Sequence, residues 1–345
     1  MPVPFVRLLA AVLFGSLALS ARPAAAQAPY RLPSPEAPVA LLALGRTHYL
    51  VTEGSVYEVA GRQLVRRYQS PSPIACALAT DTALCLGTRR GAVSLRPGRG
   101  PAHPLGLPTP AQEAPVAMLL RDADGALWVG AAGYGTYRGR PGAFEAVLQV
   151  PGVSSGTTTA DSAVWLGSNL GLHRYHRGRW TRFNEEGVAN FEIPDNLVER
   201  LLPDHAGTVW VVMSDAVCAL PAGPQPAELP TATYLGRPGN ELLAAAYLPG
   251  AGRLFATSQG LLLLPTASAH EFGSFEPAPA TDVVAPKALL RSVALGALAS
   301  PPRLAQLDNR QRLWLASAEG LLVLSPRQWR ALLQPRAAPG GTAAR

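Results

Sequence analysis

Catalysis or metal binding in this chain would have to come from its six histidines, three cysteines and few close carboxylates. His173 and His176 flank Tyr175 and are the nearest thing to a chelating pair. On a strand, residues three apart point to opposite faces, which defeats chelation. They read instead as surface and interstrand side chains. Asp122-Ala123-Asp124-Gly125 has the look of a calcium loop. Calcium, however, takes six to eight oxygens, and the same aspartate recurs at equivalent turns elsewhere, so a hairpin turn is expected. Glu185-Glu186 reads as a solvated loop rather than an acid/base dyad. Cys76, Cys85 and Cys218 lack the clustered spacing of a zinc site. Cys76 and Cys85 would lie on neighbouring strands, where they could form a disulfide in an oxidising compartment or simply be buried small apolar residues. Cys218 is expected to be free and buried. No G-x-S-x-G elbow, phosphate loop or convergent Ser/His/Asp set is present. The expectation is a protein without catalytic residues, cofactor or metal.

The elements that would carry any site come from a repeat. A short apolar strand followed by a strand-opening glycine occurs seven times, at 48–60, 84–97, 127–140, 164–177, 209–222, 254–266 and 313–326. The anchors are Tyr49, Cys85, Trp128, Trp165, Trp210, Phe255 and Trp314, so four of the six tryptophans share one register. The second strand of each pair opens with Gly54, Gly91, Gly135, Gly171, Gly260 or Gly320, with Ala216 as the exception. Another apolar strand precedes each anchor, as in 39–44, 117–121, 199–203 and 243–247, across turns rich in Asp, Asn and Gly. A more polar strand follows, as in 63–68, 179–183 and 328–332, as expected at an exposed edge. Four strands recurring at roughly 35–45 residues predict an all-β fold: a seven-bladed β-propeller of four-stranded antiparallel blades. Period-two alternation rules out a helical solenoid. The propeller is expected over 38–334, with a lead-in at 27–37, a long Pro- and Ala-rich loop at about 265–302 in which 288–296 could add a strand, and a disordered tail at 335–345.

Residues 1–26 read as a secretory signal peptide: Arg7, an apolar run from Leu8 to Leu19, and Ala24-Ala25-Ala26 before the expected cut. The apolar run is too short to span a bilayer, which takes about 20 residues, and no later stretch is long enough. A periplasmic, secreted or cell-surface location follows, with no membrane span after cleavage. The net charge is +7, but Lys287 is the only lysine among 30 basic residues. So strong an arginine bias reads as composition rather than as a nucleic-acid face.

The segments at 122–138 (DADGALWVGAAGYGTYR) and 161–183 (DSAVWLGSNLGLHRYHRGRWTRF) resemble the two-component regulator propeller repeat, loosely D-x-x-G-x-L-W-x-G-T-x-x-G-L-x-R-Y. That repeat builds the extracytoplasmic sensor of hybrid two-component kinases. The resemblance extends over about 38–334 and implies a seven-bladed propeller that senses a glycan-related ligand without enzymatic activity. Such kinases usually add a second propeller, an immunoglobulin-like module, a transmembrane helix and a kinase core. None follows here, so the output is expected from a partner or from the rest of a longer chain. The surface propeller protein of the type IX secretion system is similar too, and implies an envelope scaffold as the alternative. A propeller glycosidase or lyase is the third reading.

In a propeller, the loop between second and third strands shares a face with the connections between blades, around the central funnel. The candidate ligand-binding residues are therefore Glu53, Arg89, Arg90, Tyr134, Ser168, Asn169, Asp215, Gln259 and Glu319. A polar ring with one aromatic suits a glycan or peptide ligand, or an envelope or signalling protein as partner.

Overall fold

The computed structural model describes residues 28–184, 193, 195–204, 207–213, 217–220, 231–232, 241–265, 291–293, 295 and 298–333. Seven separate four-stranded antiparallel sheets form a seven-bladed β-propeller. Blade four shows the pattern: Val153–Thr158, Val164–Ser168, Gly171–His176 and Arg179–Phe183, hydrogen-bonded in that order. The innermost strands of the seven blades are Pro38–Leu44, Ile74–Ala79, Val116–Arg121, Val153–Thr158, Val198–Pro203, Leu242–Leu248 and Leu304–Leu307. Each touches the next, and the last touches the first, so the ring closes around a central channel.

Burial falls from the second strand outward. Leu84–Thr88, Leu127–Ala131, Val164–Ser168, Val209–Met213 and Leu313–Ser317 are buried throughout, whereas the outer strand Gln63–Gln69 is largely exposed. Seven apolar clusters fill the seven junctions between neighbouring blades. Trp128 of blade three, for example, is 0% exposed and packs against Val153 and Val164 of blade four, with Tyr175 and Trp180 ringed around it at centroid distances of 5.3 and 6.0 Å. Stability is thus concentrated where two sheets face each other, and large aromatics serve best there.

Two positions of the repeat shift. Thr52, Thr88, Ser168 and Thr257 end their second strands, and each hydroxyl lies within hydrogen-bond distance of the carbonyl three residues on. Aligned on that hydroxyl, the sixth anchor is Leu254, not Phe255. Leu254 packs toward blade seven, while Phe255 points back to blade five, edge-on to Trp210 at 4.9 Å. Strand alternation makes a one-residue offset a change of face. In blade one, likewise, the third strand opens at Ser55 rather than Gly54. At Gly171 (φ +107°) the glycine is required sterically, because a Cβ would collide with the Phe183 carbonyl of the outer strand.

The turn aspartate does more than turn the chain. Asp122 accepts from the Ala126 amide through Oδ1 (2.9 Å), and from Trp128 Nε1 and Arg138 Nε through Oδ2 (2.8 Å each). Asp308 repeats the pattern with Trp314 Nε1 (3.0 Å) and Arg312 Nε (2.7 Å). Asp204 instead reaches Arg253 of the next blade at 2.7 Å, and Asp81 takes a two-pronged bond from Arg121 of the next blade at 2.8 and 2.9 Å.

The ring closes differently from the sequence expectation. Residues 328–332 are not the outer strand of blade seven, because Pro326–Leu333 is a helix. Ser325 and Gln328 cap it reciprocally: Ser325 N donates to Gln328 Oε1 (2.9 Å) and Gln328 N to Ser325 Oγ (3.4 Å), with Pro326 pre-set for the first turn. Trp329 is buried under blades six and seven and donates to the Gln311 carbonyl at 2.9 Å. The vacant edge is filled from the other end of the chain. Tyr30–Arg31, expected as part of a lead-in, pairs antiparallel with Gly320–Leu324 as the fourth strand of blade seven. In the long segment before blade seven, Arg291–Val293 supplies the outer strand of blade six, inside the range where a strand was expected.

Cys76 and Cys85 form no disulfide. Both face the junction of blades two and three, and burial pushes their thiols up to about 12 and about 11. They are inert apolar packing rather than a disulfide.

Candidate functional site at the mouth of the central channel

Because side chains alternate along a strand, each innermost strand offers part of its sequence to the channel. The channel encloses about 850 Å³ and is lined by residues from all seven innermost strands or the turns leading into them. Its wall is apolar along Ala117, Leu119, Leu201 and Leu243, and carries both signs of charge at Glu53, Glu199, Arg200 and Arg303. Ser154 and Ser155 also face it, but their hydroxyls are engaged across the blade junction: Ser154 Oγ donates to the Val198 carbonyl (2.9 Å) and Ser155 Oγ accepts from the Leu201 amide (2.9 Å). Arg200 and Glu241 stand 3.9 Å apart at the rim. Groups of this kind, fixed by a rigid ring, can hold a polar ligand by hydrogen bonds and paired charges. No histidine lines the channel among the described residues, and those residues gather no set of three or more metal-ligating side chains.

The residues expected from the loops divide into five groups. Glu53 and Asn169 line the channel. Arg89, Arg90, Tyr134 and Gln259 sit exposed on their loops, Tyr134 at 44%, and none of them lines the channel. Glu319 borders a separate cavity of about 250 Å³ beside the N-terminal strand. Asp215 lies outside the described residues, as do Glu185, Glu186, His205 and His270. Ser168 is 0% exposed and its hydroxyl is spent on the loop, donating to the Gly171 carbonyl and accepting from the Leu170 amide at 3.0 Å each. Glu199, Arg200 and Arg303 were missed. They stand on or just before innermost strands, and their signal was a charge inside an otherwise apolar first strand.

Ser168 Oγ also lies 3.0 Å from His173 Nε2. Burial, helped by the Arg182 charge, lowers the His173 pKa from 6.5 to about 4. The pair is a structural contact: the imidazole is neutral at ordinary pH and the hydroxyl is fully used. A depressed histidine favours the fold while neutral, so its contribution is present above pH 6.5 and lost as pH falls toward 4. Denaturant unfolding between pH 7 and 4 is expected to lose about 3 kcal/mol from this group, with the slope flattened in His173→Gln. An equal slope in the variant would assign it elsewhere. The turn carboxylates do not interfere in that window. Burial alone would raise Asp122 and Asp308, but hydrogen bonds from tryptophan, arginine and backbone amides outweigh it and hold both below 3.8. What they contribute is lost only at more acid pH.

No protein-family model matches the chain, and no curated protein matches it in sequence. Solved structures do match in fold. The extracellular domain of the one component system BT4673 from B. thetaiotaomicron superimposes with a TM-score of 0.65 at 15% identity, covering 88% of this chain and 40% of that one. PorZ, a bacterial surface component of the type-IX secretion system of Porphyromonas gingivalis, gives 0.55 at 12% identity, covering 88% and 38%. A streptogramin B lyase gives 0.62 at 11% identity, covering 85% and 95%. The chain therefore spans about two-fifths of the length of the extracellular domain and of the surface component it resembles. At these identities the likeness is one of fold.

Proposed function

We propose that this chain is an exported, non-catalytic β-propeller that binds a glycan or peptide segment at the mouth of its central channel. It acts as a sensing or protein-interaction module at the periplasm or cell surface. The observation that carries this reading is the mixed-charge rim of Glu53, Glu199, Arg200 and Arg303 over an apolar channel wall, a surface suited to polar ligands. Residues 1–26 as a cleaved signal peptide agree with it, since a cut after Ala26 leaves the closing strand Tyr30–Arg31 intact. Among the described residues, no helix is long and apolar enough to cross a membrane. Similarity in fold to an extracellular domain and to a surface secretion component supports the same location. Among the described residues the channel lining carries no histidine, which favours binding over histidine-dependent lyase chemistry.

The test is a thermal-shift screen of residues 27–345 against envelope oligosaccharides and peptides. At least one compound is expected to raise the melting temperature, and Glu199→Ala with Arg303→Ala should cancel the shift. If no compound shifts wild type, the scaffold reading replaces the sensor. The same screen on Arg89→Ala and Tyr134→Ala tests the loop tips. A lost shift extends the site to them, and an unchanged shift confines it to the channel.

A further inference from the structure

The face opposite the channel mouth carries the turns between first and second strands. Where blade seven meets blade one on that face, a cleft of about 420 Å³ opens between the turns at Gly45-Arg46 and Asp308–Arg312. At its side His48 lies flat on Trp314, ring centroids 4.6 Å apart and planes inclined by 12°. Leu41 and Leu42 supply apolar wall.

The charges around this cleft do not balance. It contains Arg46, Arg310 and Arg312 against one carboxylate, Asp308. That carboxylate is fully engaged inward. Oδ1 accepts from the Arg310 and Arg312 amides at 2.9 and 2.8 Å, and Oδ2 accepts from Arg312 Nε and Trp314 Nε1 at 2.7 and 3.0 Å. Asp308 therefore neutralises Arg312, while the guanidinium groups of Arg46 and Arg310 stay exposed with no ion partner among the described residues. Burial, then the Arg312 charge, holds His48 below its ordinary value, leaving a neutral ring able to exchange one hydrogen bond. The cleft between blades three and four, built from the same kind of turns, is different. It places Asp122, Asp124 and Asp161 against Arg138 and Arg177, and Arg138 bonds both Asp122 and Asp124. The cleft between blades two and three also carries surplus arginine, Arg96, Arg99 and Arg140 beside the Asp81–Arg121 pair, so it is the stacked aromatic platform next to exposed arginine that distinguishes the cleft of blades seven and one.

We propose that this cleft is a second binding site, for a small ligand bearing an oxyanion, with Arg46 and Arg310 gripping the anionic group and the His48–Trp314 stack bordering the rest. Arginine forks match carboxylate and phosphate oxygens in pairs, and a ring-shaped neighbour of the anion would lie against the aromatic edge. The chemistry fits an acidic sugar or a phosphate, and the assay separates the two.

Calorimetric titration of residues 27–345 with galacturonate, inorganic phosphate and uncharged galactose is the experiment. Galacturonate or phosphate is expected to bind, galactose not. Arg46→Ala/Arg310→Ala, both at exposed positions, should weaken the charged probe at least tenfold, while Arg179→Ala, exposed on the outer strand of blade four, leaves it unchanged. Binding of galacturonate alone identifies a carboxylate ligand; binding of phosphate alone identifies a phosphate ligand. If neither charged probe binds, or if the double variant retains full affinity, the proposal is overturned. Because the channel reading is tested by its own variants, Glu199→Ala with Arg303→Ala, failure here is distinguishable from failure there.

Discussion

Trp128→Ala is expected to lower the unfolding free energy by about 3–5 kcal/mol, the range for a large aromatic removed from a packed core. Three separate losses act in the same direction. The indole is 0% exposed and fills the junction of blades three and four with Met118, Leu120, Val153, Val164 and Leu166. Its Nε1 donates to Asp122 Oδ2, whose other partner there is Arg138. Arg138 in turn lies over the indole ring at 5.8 Å from the centroid. Truncation leaves a cavity, a partly buried carboxylate short of one donor, and an arginine without its platform. Trp128→Phe separates packing from hydrogen bonding, since it keeps most of the volume and removes only the donor. It should cost about 1–2 kcal/mol. Chemical denaturation of both variants reads this directly, and a Trp128→Ala loss below about 1 kcal/mol would mean that the junction collapses onto the gap. Trp165→Ala serves as a comparison, because its Nε1 donates to Thr159 Oγ1 at 3.2 Å rather than to a carboxylate.

The contrast between these two tryptophans shows what could be read from sequence. Blade number, antiparallel order and the buried tryptophan register followed from period-two alternation and a recurring Trp–Gly spacing, both local properties of the chain. Three features did not follow. Phe255 looked like an anchor because it is the only aromatic in its strand, yet the hydroxyl of Thr257 sets the register and places Leu254 at the anchor. Residues 328–332 read as a strand by composition, although Ser325-Pro326-Arg327-Gln328 carried a capping signal. The closing strand was invisible, because two residues near the N-terminus pair with a strand about 290 residues away and no local pattern encodes a partner at that separation. The site divides in the same way. Loop tips could be placed on one face from topology, but whether a side chain reaches the channel depends on which way each innermost strand rolls. Glu53 and Asn169 reach it and Arg89 does not. The basic cleft had no sequence signal at all, since Arg46 and Arg310 lie far apart in the chain and meet only through ring closure.

That closure gives the second large effect, which Gly320→Ala tests. Gly320 opens the third strand of blade seven, and a Cβ there would collide with the Tyr30 carbonyl oxygen and crowd Arg31 Cα. The substitution is therefore expected to expel the N-terminal strand. The main-chain bonds of that segment would go with it, including Leu32 N to the Glu319 carbonyl and Glu36 N to the Ala318 carbonyl at 2.9 Å each. So would the contacts of Glu36, which accepts from Thr52 Oγ1 and, at 3.0 Å, from Tyr57 Oη. Leu32 and Tyr30 would also leave the apolar junction of blades seven and one. Against the entropy regained by the freed segment, a net loss of about 2–4 kcal/mol is expected. The exposed edge of blade seven should then promote self-association. Deleting residues 28–36 removes the same contacts, so the two changes should not add. In the deletion background Gly320→Ala has nothing left to strike, and should cost only the backbone strain of its positive φ, about 1–2 kcal/mol. Hydrogen exchange at the Leu32 and Glu36 amides reports the expulsion directly: protected in wild type, fast in Gly320→Ala. If the two losses sum in full, or if both amides stay protected in the variant, the strand is not what closes the ring. Blade seven would then be held by its junction with blade six and by Trp329 beneath it.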